Sequence, residues 1–77
     1  MTDPLIEVFA DVLEADNSNL DEDSSPDTVD SWDSLSAMHL VSAIEQKFAV
    51  RFSTREIMKM SSIGLVRSTL RGKGIDI

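Results

Sequence analysis

The spacing of apolar residues between positions 34 and 48 is the strongest constraint on the fold. At about 100° per residue, one helix face collects five apolar side chains: Ala37, Leu40, Val41, Ile44 and Phe48. This spacing predicts an amphipathic α-helix over Ser34–Phe48. One helix cannot bury its own apolar stripe, so the rest of the chain must supply packing partners.

Three further segments carry helix signals. The first predicted helix runs over Pro4–Glu14 and follows a cap candidate at Thr2. A short helix covers about Thr54–Met58, and a last helix, capped by a serine, ends near Leu70, where Arg67 and Arg71 suit the helix dipole. We therefore expect an all-α four-helix bundle with three main helices, one short helix and a long first loop. Its most buried side chains should include Phe9, Leu40 and Ile44.

Residues 15–33 form the predicted long loop. The segment is polar and acidic, contains Pro26 and has no sustained period. A loop of this length is unusual in a compact domain unless it is functional, and Leu20 and Val29 should attach it to the core. As a calcium loop starting at Asp21 it fails, because Pro26 stands where glycine is needed and Trp32 where a bidentate glutamate is needed. We expect no metal site.

Size and cysteine content bound the possible chemistry. Seventy-seven residues make one small domain, which we expect to span residues 1–77, with its core at about 4–71 and a flexible tail at 72–77. The chain has no cysteine, which excludes disulfides and cysteine-ligated metals. Any thioester chemistry would therefore need an added thiol.

Charge is strongly polarised along the chain. Eleven of the fourteen acidic residues lie in residues 1–33, which hold no lysine or arginine, whereas residues 34–77 hold three acids and seven bases. The net charge of −7 argues against a nucleic-acid partner, and no apolar run approaches membrane-spanning length. With no signal-peptide pattern at the N-terminus, we expect a cytoplasmic monomer. The acidic half would steer a basic partner surface, or it would merely confer solubility.

The sequence Asp33-Ser34-Leu35 enters the strongest predicted helix. A short polar side chain here can cap the helix, and a phosphate ester on Ser34 would be stabilised by the free N–H groups and the helix dipole. The motif resembles the attachment site of acyl carrier proteins. The resemblance covers about residues 4–71, because the order of the helices also agrees and the second helix carries Met38, Leu40, Ile44-Glu45 and Phe48.

The resemblance implies a 4′-phosphopantetheine arm on Ser34, next to Asp33, which carries acyl intermediates as thioesters. Implied partners are a phosphopantetheinyl transferase (holo-acyl-carrier-protein synthase) and acyl-loading and acyl-processing enzymes. Fatty-acid-synthase carriers typically have a glutamate-rich second helix, whereas this one keeps only Glu45. The resemblance therefore favours a specialised pathway, such as a polyketide-like one, over fatty acid biosynthesis. A peptidyl or aminoacyl carrier, and an unmodified helical interaction module, remain as alternatives.

Several residues around Ser34 are predicted to contact partners. Leu35 lies nearly opposite the core stripe and Met38 on its flank, so both apolar side chains should be exposed. The expected partner-binding set is Asp30, Leu35, Met38, His39, Ser42 and Glu45. A hydrolase using Ser34 and His39 is disfavoured, because five helical residues separate them by about 140°. Trp32 is interpreted as a hydrophobic staple over the helix start.

Overall fold

The computed structural model describes residues 3–77, which fold into four α-helices with no β-strand in that range. The helices are α1 (Pro4–Leu13), α2 (Ser34–Phe48), α3 (Thr54–Met58) and α4 (Ile63–Gly72), with a 3₁₀ turn at Asn17–Asn19. The predicted all-α class, with three main helices, one short helix and a long first loop, is confirmed. None of the helices in residues 3–77 has the length and apolar character needed to cross a membrane.

Short polar side chains cap the helices. Asp3 caps α1, because its Oδ1 accepts the N–H of Leu5 at 3.0 Å; the cap predicted at Thr2 lies outside the described residues. Ser53 and Glu56 form a reciprocal capping box on α3. α1 ends one residue before the predicted Glu14, because Glu14 adopts a left-handed conformation with φ 53°.

The core lies where α1, α2 and α4 meet. Its fully buried side chains come from all three helices: Leu5, Phe9, Ile44, Ile63, Val66 and Leu70. Leu40 is also buried, which confirms the three core residues predicted from the sequence. Phe48 and Ala37 of the predicted stripe are half-buried against this cluster, and Val41 is half-buried.

The first loop is fastened to the start of α4. Leu20 is buried and Val29 packs partly against the core, as predicted. In addition, the N–H of Ile63 donates to Ser24 O at 3.1 Å and the N–H of Gly64 donates to Glu22 O at 3.0 Å. A Cβ at position 64 would lie 3.0 Å from that same carbonyl oxygen, so glycine permits the close approach.

A charged cluster joins α1, the loop and α4. The Arg67 side chain is only 9% exposed; its Nη2 lies 2.6 Å from Asp3 Oδ2 and its Nε 2.6 Å from Glu22 Oε1. These bonds to Glu22 and then Asp3 raise the pKa of Arg67, against the effect of burial. Burial alone would raise the pKa of Asp3, but hydrogen bonds from Arg67 and the Leu5 and Ile6 amides lower it. Arg67 is therefore a cross-link within the fold rather than a helix-dipole residue.

The C-terminal segment follows α4 back onto the core. α4 runs two residues past the predicted end, and Gly74, at φ 89°, turns the chain so that the N–H of Ile75 donates to Leu70 O at 3.0 Å. Ile75 and Ile77 pack partly against the core cluster. The predicted extents of the domain and of a flexible tail stay predictions.

Replacing the buried Ile44 by alanine should lower the free energy of unfolding by roughly 2–5 kcal/mol, because it removes core contacts and leaves a cavity. Leu35→Ala on the same helix is the matched control; its side chain is 64% exposed, so the change should stay within about 0.5 kcal/mol. Urea unfolding followed by circular dichroism measures both. Equal losses in the two variants would contradict the core described above.

Arg67→Met should lower the free energy of unfolding by about 1–3 kcal/mol at pH 7, since the partners Asp3 and Glu22 are part-exposed and screened by water. The folded-state pKa of Asp3 lies below its unfolded value, so its contribution is present above pH about 4 and is lost as the pH falls through the folded pKa. The difference between wild type and variant should therefore shrink at low pH. Urea unfolding at several pH values measures this difference in the free energy of unfolding. If the difference does not depend on pH, the bond between Arg67 and Asp3 does not contribute to it.

Candidate functional site

The site is the start of α2, where the long loop ends. Asp33 is the N-cap residue, in an extended conformation, and its Oδ1 accepts the N–H of Ser36 at 2.9 Å. The hydrogen bond from the backbone N–H of Ser36 is the chief cause that lowers the pKa of Asp33 below its ordinary value. Ser34 is the first residue of the helix, as the sequence predicts.

Trp32 fixes the chain two residues before Ser34. Its side chain is buried, and its ring centroid lies 5.1 Å from that of Phe9 with the ring planes tilted by 57°. Tilted aromatic pairs of this kind stabilise beyond their buried area. The interpretation of Trp32 as a staple over the helix start is therefore too limited, because the residue belongs to the core. Its burial anchors the loop end beside Ser34.

Two serine hydroxyls lie at this helix start, and the structure distinguishes them. The Ser36 hydroxyl donates to Ser31 O at 2.6 Å, and its side chain is half-buried. Ser34 is exposed, and its hydroxyl makes no hydrogen bond with any residue from 3 to 77. The role of Ser36 was not predicted; its position three residues after a cap residue was the available signal in the sequence. Ser34 therefore presents the accessible hydroxyl of the pair.

The predicted partner-binding residues fall into two groups. Leu35 and Met38 are 64% and 70% exposed, and Asp30, His39 and Ser42 are also exposed. Glu45 differs, because it is half-buried and its Oε2 accepts the N–H of Phe52 at 2.9 Å. Its carboxylate thus closes the connection between α2 and α3. Docking roles for all six residues stay predictions.

A small apolar cavity lies behind the site. Its volume is about 30 Å³, and its lining comes from the loop end, all four helices and the α3–α4 connection: Phe9, Trp32, Ala37, Leu40, Val41, Ile57, Met60 and Val66. That volume is close to the space one water molecule takes up in the liquid. The seam between α2 and α3 is therefore nearly closed in this conformation.

The loop carboxylates serve the backbone. Asp16 Oδ1 accepts the N–H of Ser18 at 3.1 Å, and Asp21 Oδ1 accepts the N–H of Asp23 at 2.9 Å. Such local bonds shape tight turns. Within residues 3–77, no group of three or more histidine, cysteine, aspartate or glutamate side chains is arranged to hold a metal ion.

Comparison with known proteins bears directly on this site. A family model described as a phosphopantetheine attachment site matches residues 3–68. The matched range contains α1, α2 and α3, the loop, the Asp33-Ser34-Leu35 segment and the first half of α4. No curated protein matches the chain.

Proposed function

We propose that this chain, which belongs to the phosphopantetheine attachment site family of acyl and peptidyl carrier domains, bears its arm on Ser34. The family carries 4′-phosphopantetheine as a covalently attached group. The observation that carries the assignment to Ser34 is its exposed, unbonded hydroxyl at the first position of α2. Ser36, the neighbouring alternative, has its hydroxyl engaged by Ser31 O.

The residues around Ser34 suit a phosphate ester. The N-terminus of a helix favours negative charge through its dipole and its free N–H groups. Asp33 caps the helix and so fixes the backbone at Ser34, while the buried Trp32 holds the preceding segment against Phe9. The attachment point is thus rigid, and its hydroxyl faces solvent.

The prosthetic group, when attached, supplies the thiol that this cysteine-free chain lacks, and it holds the cargo as a thioester. The chain's own residues position the arm and carry no reaction, because the family consists of carrier modules. The protein is in this proposal a carrier and not an enzyme. Its partners are a phosphopantetheinyl transferase and enzymes that load or process the cargo.

The cargo is in this proposal an acyl intermediate of a fatty acid, polyketide or related specialised pathway. The composition of α2 supports a specialised pathway, since it keeps only Glu45 as an acid, whereas the resemblance described above leads one to expect a glutamate-rich second helix in a fatty-acid-synthase carrier. A specialised pathway with small or modified acyl units is therefore favoured over long-chain fatty acid synthesis. A peptidyl or aminoacyl cargo is the alternative within the same family.

Ser34→Ala should abolish loading, because it removes the hydroxyl that receives the phosphate. The test is incubation with coenzyme A and a broad-specificity phosphopantetheinyl transferase, followed by intact-mass measurement. Ser36→Ala is the matched control; it removes the other hydroxyl of the pair and should still gain one phosphopantetheine. Loading of Ser34→Ala would refute the assignment. A wild-type chain that gains no mass would instead support the unmodified interaction module.

Partners should find the carrier through the acidic loop end and hold it through Leu35 and Met38. Because exposed charges are screened over about 8–10 Å at physiological salt, neutralising Asp30 and Asp33 to asparagine should slow association several-fold, and high salt should do the same. Asparagine at position 33 still caps the helix. Leu35→Ala should instead speed dissociation, because it removes buried contact.

Stopped-flow binding to the transferase measures both rates. The control variant combines Glu7→Gln with Asp11→Asn and so neutralises two exposed acids on α1. It removes as much charge as the Asp30 and Asp33 variant, but it should slow association less. Glu45→Gln should also do less, since that carboxylate is bonded to the Phe52 amide. Docking through the loop is wrong if either control slows association more than the Asp30 and Asp33 pair does.

A further inference from the structure

The two carboxylates of the α2–α3 region both serve internal contacts. Residues 34–75 contain only Glu45 and Glu56 as acids. Glu45 accepts the N–H of Phe52, as described above. Glu56 Oε1 accepts the N–H of Ser53 at 2.8 Å and lies 2.9 Å from Lys73 Nζ; these contacts, chiefly the one with Ser53, lower the pKa of Glu56. Both glutamates are half-buried, so this region offers partners little negative charge.

Two bases on α3 and at its C-terminal end are exposed. Arg55 lies on α3 and Lys59 is the C-cap residue that follows it; a spacing of four residues puts the two on one side of this short helix. Met58 lies on that side, one residue before Lys59, and its side chain is 80% exposed, the most exposed of the large apolar side chains in residues 3–77. We call this set, Arg55, Met58 and Lys59, the α3 face. It combines one apolar anchor with two flanking cations.

The α3 face lies beside the candidate attachment site. Ile57, its neighbour on α3, lines the small apolar cavity together with Trp32 and Ala37. Those two residues flank the start of α2, two positions before and three positions after Ser34. A protein that reaches the Ser34 hydroxyl can therefore also cover α3.

We propose that the α3 face docks a partner protein that presents carboxylates around an apolar recess for Met58. The proposal rests on the function proposed above, since this partner is an enzyme that acts on the arm at Ser34. Charge complementarity selects the occupant: two exposed cations without a free carboxylate in the region call for an acidic surface. The occupant is a protein because enzymes that act on the arm must reach Ser34 beside α3.

Opposite charges then flank the attachment site. Asp30 and Asp33 lie on the loop side of Ser34, while Arg55 and Lys59 lie on the α3 side. A partner must match both signs in the correct order, and a partner docked the other way round would place like charges together. The pattern fixes the orientation of the partner as well as its charge.

Two synthetic helical peptides with the same leucine face test the proposal, one with glutamate and one with lysine on the flanks. The unmodified protein is titrated with each at low ionic strength, and amide chemical shifts are followed by NMR. The acidic peptide should shift the signals of residues 51–60, whereas the basic peptide should shift those of the loop. No shifts at residues 51–60 with the acidic peptide would overturn the proposal.

Matched variants identify the responsible side chains. Lys59→Glu should weaken binding of the acidic peptide about fivefold, since it replaces an attraction by a repulsion. Arg55→Glu should weaken binding in the same way. Lys47→Glu, an exposed lysine on α2, changes the charge equally and should have less than half that effect. Met58→Gln should weaken binding without altering its salt dependence. Equal weakening by Lys47→Glu and Lys59→Glu would show general charge attraction and refute a specific surface.

The remaining outcomes are also decisive. Sedimentation with phosphatidylglycerol vesicles should show no binding, and vesicle binding that Lys59→Glu abolishes would assign the α3 face to a membrane instead. The peptide titration needs no arm, and loading of Ser34 is measured separately by mass. If Ser34 is not loaded but the acidic peptide binds the α3 face, the proposed function is refuted. If Ser34 is loaded but the acidic peptide does not bind, only the α3 docking surface is refuted.

Discussion

The contact of Arg67 with Asp3 and Glu22 is the interaction on which the rest of the structure depends. It joins the first residue before α1, the middle of the long loop and the centre of α4 through one guanidinium group. The Arg67 side chain is buried, whereas the side chains of Asp3 and Glu22 are partly exposed to solvent. Because two elements distant in the chain share one cation, the loop is held at Glu22 by charge, two residues after the buried Leu20.

A second anchor, ten residues further on, turns this loop into a support for the candidate attachment site at Ser34. Trp32 packs on Phe9 of α1, and Asp33 then caps α2. Between the two anchors, local turns stabilised by serine, threonine and aspartate side chains occupy most of the segment. A loop built in this way holds the Asp33 carboxylate at the start of α2, next to Ser34.

The sequence predicted what depends on neighbours in the chain. The bounds of α2 and α3 follow from apolar spacing and from the caps Asp33 and Ser53, which act within one turn. Arg67 could not be predicted, because its partners lie 45 and 64 residues away and nothing local distinguishes it from Arg71. The bond between Glu45 and the Phe52 amide could not be predicted either, since it depends on how the chain turns after α2. The sequence placed Trp32 correctly at the helix start, but its burial in the core depends on packing against Phe9 of α1.

The shortness of α3 has a consequence for motion. None of its five residues is buried, and outside contacts reach it mainly through Glu45 with Phe52 before the helix and through Glu56 with Lys73. The free energy of local opening is lowest where few apolar contacts must be broken. α3 can therefore swing away or unwind while α1, α2 and α4 keep their shared core. α3 is thus the most easily displaced part of the wall of the small cavity beside the candidate attachment site, and the cavity can widen there without global unfolding.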